Sequence, residues 1–241
     1  MLWANPESGK LVKGVSHFYP ALPLSRSGVV LEVVYLGHSA FRLRGKDVTI
    51  VTDPHPPELG APMGKPSANI VTISHESPNH SYAEGVSGNP RIVTGPGEYE
   101  LADTLIAGVA TSMEPRVGPT NTAYVFRVED MNICHLGDLR DTLTDKQIEE
   151  IGTIDVLLVP VGGGNAIGAA QAAAVITQLE PSVVVPMHYR VDGVQAADLE
   201  PVDPFCREVG LKEYVPEPKL SITKGSLTSE VRIVVLENKR V

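Results

Sequence analysis

From residue 29 onward, apolar positions fall into short β-branched runs broken by turns. Residues 29–36 form one such run. The turn Gly37-His38-Ser39-Ala40 follows it, then Phe41-Arg42-Leu43-Arg44 with apolar and basic positions alternating. Gly45-Lys46-Asp47 turns the chain again, and 48–52 ends at Asp53-Pro54. Alternation and spacing of this kind predict an antiparallel meander. Four prolines in 55–68 (56, 57, 62 and 66) predict a loop. Strands are predicted at 69–73, 91–94, 104–109, 122–128 and 131–134. Thr144-Asp145-Lys146-Gln147 has the Thr-x-x-Gln form of a capping box and predicts a helix running to about residue 151. Residues 154–159 are a wholly apolar strand. Gly162-Gly163-Gly164 then leads into a helix over 167–179, whose Ala172, Val175, Ile176 and Leu179 share one face, with Pro181 just beyond its end. A strand at 182–185, a short helix at 204–209 and closing strands at 220–223 and 231–236 complete the pattern. Many strands first, then strand-helix-strand-helix-strand, reads as two packed sheets with helices outside: an α/β, four-layer αββα sandwich.

Residues 1–28 lack any sustained period and carry Pro6, Pro20 and Pro23, so they read as a weakly ordered N-terminal arm before a single domain at 29–241. The formal charge of −9 and the absence of a long basic cluster argue against nucleic acid as a partner. Cys134 and Cys206 are too few and too far apart for a disulfide framework. No apolar run reaches membrane-spanning length, and Met1-Leu2-Trp3-Ala4-Asn5-Pro6 lacks a basic segment leading into an apolar one. A cytoplasmic protein acting on a small-molecule substrate or ligand is therefore expected, with a homo-oligomer left open.

The chemistry concentrates at strand ends. Ser74-His75-Glu76-Ser77-Pro78-Asn79-His80 follows the run 69–73. Pro78 opposes a continuous helix there, so His75 and His80 belong to a strand-end loop on which side chains can converge. Two nearby histidines fit a hydrogen-bonded loop equally well. However, His135-Leu136-Gly137-Asp138 and Pro186-Met187-His188 also follow strand-like runs, and core packing alone does not place His, Asp and His at three separate strand ends. Among the other polar positions, His38 reads as a satisfied loop residue or a substrate contact. His55, among prolines, reads as exposed, and His135 as pointing away from Asp138. Tyr99 and Tyr189 read as rim residues, and Gly162–Gly164 as a tight strand-to-helix turn.

In order, Tyr35-Leu36-Gly37-His38-Ser39, Thr52-Asp53-Pro54, the 74–80 loop, Gly95-Pro96-Gly97-Glu98-Tyr99-Glu100, His135-Leu136-Gly137-Asp138-Leu139 and Val185-Pro186-Met187-His188-Tyr189 resemble the metallo-β-lactamase-fold superfamily, in its ascorbate-phosphate-lactonase-like branch of metal-dependent hydrolases. The resemblance implies a site at one edge between the sheets. It also implies that Asp53 is a buried hydrogen-bonding residue beneath the histidine loop. The family's His-x-His-x-Asp-His is here His75-Glu76-Ser77-Pro78-Asn79-His80, with Ser77 for the middle histidine and Asn79 for the aspartate. A hydroxyl is a poor substitute for imidazole on a metal, and an amide supplies neither charge nor a proton acceptor. Residues 90–112 hold no histidine for the third motif, and Glu98 is the nearest substitute. Carried over residue by residue, the resemblance leaves at most one ion (zinc, manganese or iron) on His80, Asp138 and His188, with His75 retained from a second ligand set. His75 or Glu76, together with Asp138, would then handle the proton of a metal-activated water attacking an ester, lactone or phosphoester. The alternative is a metal-poor, non-catalytic binding module in which Ser77 and Asn79 hydrogen-bond a polar ligand.

Overall fold

The computed structural model describes residues 28–60, 62–111, 121–191, 193 and 198–239. Apart from Gly28, the expected arm 1–28 lies outside the described residues.

Two mixed sheets face one another. In the first, β1 (Leu31–Gly37), β2 (Ala40–Arg44) and β3 (Thr49–Thr52) form the antiparallel meander. β4 (Ile70–Ile73) and β5 (Arg91–Thr94) then add in parallel beside β3. The second sheet contains β6 (Gly97–Leu101), β7 (Thr104–Ala110), β8 (Thr122–Val128) and β9 (Met131–His135) as antiparallel neighbours. β10 (Val156–Pro160) and β11 (Val183–Met187) continue it in parallel. The late strands divide between the sheets: β12 (Leu220–Ile222) pairs with β1, and β13 (Arg232–Ile233) with β11. β6 was not anticipated as a strand, because its sequence Gly-Glu-Tyr-Glu-Leu is short, mostly exposed and sits on a sheet edge. Two hairpins close through two-residue turns with both residues left-handed, Ala102-Asp103 and Glu129-Asp130. This backbone matches the twist of the flanking strands.

The main core lies between the sheets. Alternate residues Val33, Tyr35, Phe41, Leu43 and Ile50 of the first sheet meet Tyr124, Phe126, Ile133 and Leu158 of the second. The opposite face of the first sheet carries Val34, Leu36, Val51, Val71 and Ile73. Met63, Ala68 and Val86, from the proline-rich loop and the stretch after the histidine loop, cover it. α1 (Asp145–Ile151) packs on β7 and α2 (Ala169–Leu179) on β10 of the second sheet, and α3 (Asp203–Glu208) packs against α2. The Thr144/Gln147 capping box forms as the sequence predicts, and the α2 face Ala172, Val175, Ile176 and Leu179 is buried. Among the described residues, no helix is long and apolar enough to cross a membrane.

Candidate metal centre

The parallel pairing of β3 with β4 sets Asp53 beside Ser74 at the two strands' C-terminal ends. The Asp53 amide donates to Thr72 O at 2.8 Å. Asp53 is fully buried. Its carboxylate accepts from the Ser74 amide (2.7 Å), from Ser74 Oγ (2.5 Å) and from His80 Nδ1 (3.0 Å). Burial alone would raise the Asp53 pKa, but the neighbouring His135 and the bonds from His80 and Ser74 outweigh it and bring it to about 2. The Ser77 carbonyl accepts the His80 amide (2.9 Å) and both the amide and the hydroxyl of Ser81, a tight turn that returns His80 over Asp53. Ser77 and Asn79 are half-buried, and Glu76 is exposed.

His38 enters from the β1–β2 turn. The register shifts between Tyr35 and Gly37, and the left-handed backbone at Gly37 and His38 turns the imidazole inward. Its carbonyl accepts from Tyr35 OH (2.9 Å) and from the His188 amide (2.7 Å). His188 follows β11, also left-handed at φ 51°. Asp138 follows β9 through Gly137. A Cβ on Gly137 would lie 2.3 Å from Asn121 Oδ1 and 2.5 Å from Ser74 Cβ, so only glycine fits there. The Asp138 amide donates to Asn121 Oδ1 at 2.9 Å, and Asn165 Nδ2 donates to Asp138 Oδ2 at 2.6 Å.

The result is a buried carboxylate ringed by imidazoles. His188 Nε2 lies 3.3 Å from Asp138 Oδ1. His80 Nε2 and His75 Nε2 lie 3.4 and 3.6 Å from Asp138 Oδ2. His38 Nε2 is 3.1 Å from His80 Nε2. The ligand atoms of His38, His80 and His188 lie within 4.8 Å of one another, as do those of Asp53, His75 and His80. Asp53 is already committed to three donors, which leaves the first of these groups as the candidate ion site, with Asp138 against it, Oδ1 toward His188 and Oδ2 toward His80 and His75. Asp138 Oδ1, His38 Nδ1 and His188 Nδ1 are buried without a hydrogen-bond partner. Unpaired buried polar atoms are costly, and a cation among the facing lone pairs would satisfy Asp138 Oδ1. The donor set of imidazoles and one carboxylate suits zinc, divalent iron or manganese. Burial lowers the pKa of His38, His75 and His188, and adjoining histidines lower it further. His80 is the exception: burial opposes its charge, but Asp138 and Asp53 prevail and raise its pKa.

The structure thus brings together His75, His80, Asp138, His188 and Asp53 from the sequence reading, and corrects that reading at four positions. His38 is a central member of the cluster, only 5% exposed. His55 is buried, not exposed, with Nε2 3.1 Å from Leu36 O, because the proline-rich loop folds back over the first sheet. Glu98 is exposed on the edge strand β6 and belongs to neither ligand group, so it does not stand in for the missing histidine. Glu76 is exposed and belongs to neither ligand group, so it is not part of the buried cluster. His135 bonds Ser39 O (2.8 Å) and the Gly137 amide. Tyr99 OH is engaged by Thr94 O and Gly95 O, and Tyr189 stacks on Tyr35. Asn121 and Asn165 were missed. Only the glycine-rich turn before Asn165 hinted at its placement. A cleft of about 730 Å³ opens beside Tyr189, lined also by Arg190, Asp203, Tyr214 and Glu237, and none of the clustered histidines lines it.

Comparison with known proteins agrees with this architecture. A UPF0173 metal-dependent hydrolase of Pyrococcus horikoshii is 28% identical over 222 residues, spanning 77% of this chain and 95% of the relative. A crystal structure of a candidate Zn-dependent hydrolase of the metallo-β-lactamase superfamily from Thermotoga maritima superposes with a TM-score of 0.71 at 36% identity. It covers 86% of this chain and 98% of that one. A metallo hydrolase of Ignicoccus hospitalis shares the fold, with a TM-score of 0.58 at 23% identity over 80% of this chain and 98% of its own. The sequence profile of the beta-lactamase superfamily domain matches residues 32–188, from the first strand to the last clustered histidine, and the chain belongs to that family, within the metallo-β-lactamase superfamily.

Proposed function

We propose that the chain is a metal-dependent hydrolase with a single metal ion held by His80, Asp138 and His188. The observation that carries this reading is the Asp138 carboxylate, buried with Oδ1 unpartnered while two Nε2 atoms from different strand ends face it at 3.3 and 3.4 Å. The names of the Pyrococcus and Thermotoga relatives point the same way. A bound ion would lower the pKa of a coordinated water toward neutrality and so supply a nucleophile. The chain's own groups do the rest. Asp53 accepts from His80 Nδ1 and so fixes the tautomer that leaves Nε2 bare. His75 Nδ1 lies 3.0 Å from Ser74 Oγ, whose proton goes to Asp53, so Nδ1 is the donor and Nε2 keeps a lone pair able to accept a proton. The cluster is buried, which limits competing water and strengthens each electrostatic contact. An ester, lactone or phosphoester substrate suits this chemistry.

Elemental analysis of the purified chain, with His80→Ala as control, tests the reading. About one zinc, manganese or iron per chain, lost in the variant and on chelation, supports it. Hydrolysis in ester, lactone and phosphodiester screens should follow the metal. A chain that takes up no metal under saturating conditions would instead favour the non-catalytic binding module, for which the loss of ligand chemistry at Ser77 and Asn79 is the argument.

A further inference from the structure

We propose that His38 is a fourth protein ligand of this ion, supplied by the β1–β2 turn in place of the ligands missing from the 75–80 loop, and that His75 stays outside the coordination set. The inference rests on the single-metal reading above.

The tautomer of His80 is the first argument. Its Nδ1 donates to Asp53, so its Nε2 lone pair faces inward, 3.1 Å from His38 Nε2. Three arrangements fit that distance. His38 Nε2–H could donate into the His80 lone pair, which would occupy the electrons that an ion on His80 requires. His80, whose pKa Asp138 and Asp53 raise, could instead carry a second proton on Nε2 and donate it to His38, a form in which it binds no ion. Otherwise both nitrogens present lone pairs to a shared ion. If His80 is a ligand, the first arrangement would aim a proton at the cation. His38 must then carry its proton on Nδ1 and bind through Nε2.

Spacing is the second argument. Ligand atoms about 2.0–2.1 Å from a tetrahedral ion lie about 3.3 Å apart. The separations here are 3.1 Å for His38 to His80 and, to the two different oxygens of the Asp138 carboxylate, 3.4 Å for His80 (Oδ2) and 3.3 Å for His188 (Oδ1). His38 shares with His80 and His188 a group of three imidazoles whose ligand atoms lie within 4.8 Å of one another, a group that does not include His75.

Rigidity is the third. His38 is held by the bulge after Tyr35, by a left-handed backbone, and by a carbonyl pinned between Tyr35 OH and the amide of His188, itself a proposed ligand. A loop histidine with no task beyond its turn would not need to be clamped to the strand end that carries another member of the cluster. With His38, the protein supplies three imidazoles and one carboxylate from four separate segments. A coordinated water then requires expansion to five ligands.

The test compares His38→Asn, His75→Ala and the wild-type chain, each loaded with zinc and then with cobalt(II). Asparagine tolerates the left-handed backbone at 38, so the turn is kept. We expect His38→Asn to weaken zinc binding at least about 10-fold by chelator competition and to change the visible cobalt spectrum. His75→Ala should leave both unchanged. Independently of any substitution, the ¹⁵N resonance of His38 Nε2 in the wild-type chain should move on zinc addition while that of His75 Nε2 stays near its metal-free position. Wild-type affinity and spectrum in His38→Asn, or an unmoved His38 resonance, would overturn the inference while leaving a His80/Asp138/His188 site standing. A wild-type chain that binds no metal would overturn both readings.

Discussion

Asp53 sees no solvent, yet it sets the direction of two imidazoles, one directly through His80 Nδ1 and one through the Ser74 hydroxyl. The charge is what makes it effective: an anionic acceptor holds each Nδ1–H and raises the basicity of the opposite nitrogen. We expect Asp53→Asn to keep the far-UV circular dichroism of the parent and to lose roughly 10–100-fold in zinc affinity, measured by chelator competition. Unchanged affinity would show that the rings hold their orientation without an anion beneath them. At this scale the sequence was only partly legible. Strand-end position marks His75, His80, Asp138 and His188 as candidates, because each follows an apolar run. His55 escaped, and His38 read only as a loop residue or substrate contact, since their burial depends on what the proline-rich loop and the β1–β2 turn pack against. Asn121 and Asn165 are ordinary polar residues whose contacts with the Asp138 segment arise only when three distant segments meet.

At the level of elements, the short connections place the clustered side chains and the helices brace the sheet. Gly162 shows the difference. It leaves β10 so close to the end of β11 that a Cβ would lie 2.3 Å from His188 O and 2.7 Å from Tyr189 Cα, both backbone atoms that cannot swing aside. Gly162→Ala should cost about 1–3 kcal/mol in denaturant unfolding and, by pushing residue 188, also weaken metal binding. Thr144→Ala makes the contrast. It removes the hydroxyl that caps α1 (Thr144 Oγ1 to the Gln147 amide, 3.3 Å) and should cost about 1 kcal/mol with no effect on metal affinity. Equal losses of affinity in both variants would mean that the site responds to general loosening and not to the placement of residue 188. Most elements could be read from periodicity and caps, as α1 and α2 illustrate. β6 could not, because an exposed edge strand needs no apolar alternation, and the assignment of β12 and β13 to different sheets has no local signal.

Over the whole molecule, the two sheets are joined by hydrogen bonds at the end that carries the histidines. The Thr122 amide donates to Ser74 O, Tyr124 OH to Ile73 O, and the His188 amide to His38 O, while His135 Nε2 lies 2.8 Å from Ser39 O. Each bond crosses from one sheet to the other, so an ion held by residues of both sheets would oppose their separation. Zinc at about 100 times its dissociation constant should add about 2.7 kcal/mol and raise the Tm by roughly 5–10 °C, reversed by chelator. A scan with and without zinc decides this. The backbone adds a further consequence. His38, Asp53 and His188 all adopt positive φ, a conformation that costs a side-chain-bearing residue roughly 1 kcal/mol or more. An ion bound as proposed would help to hold His38 and His188 in this conformation, so its removal should loosen those two turns first.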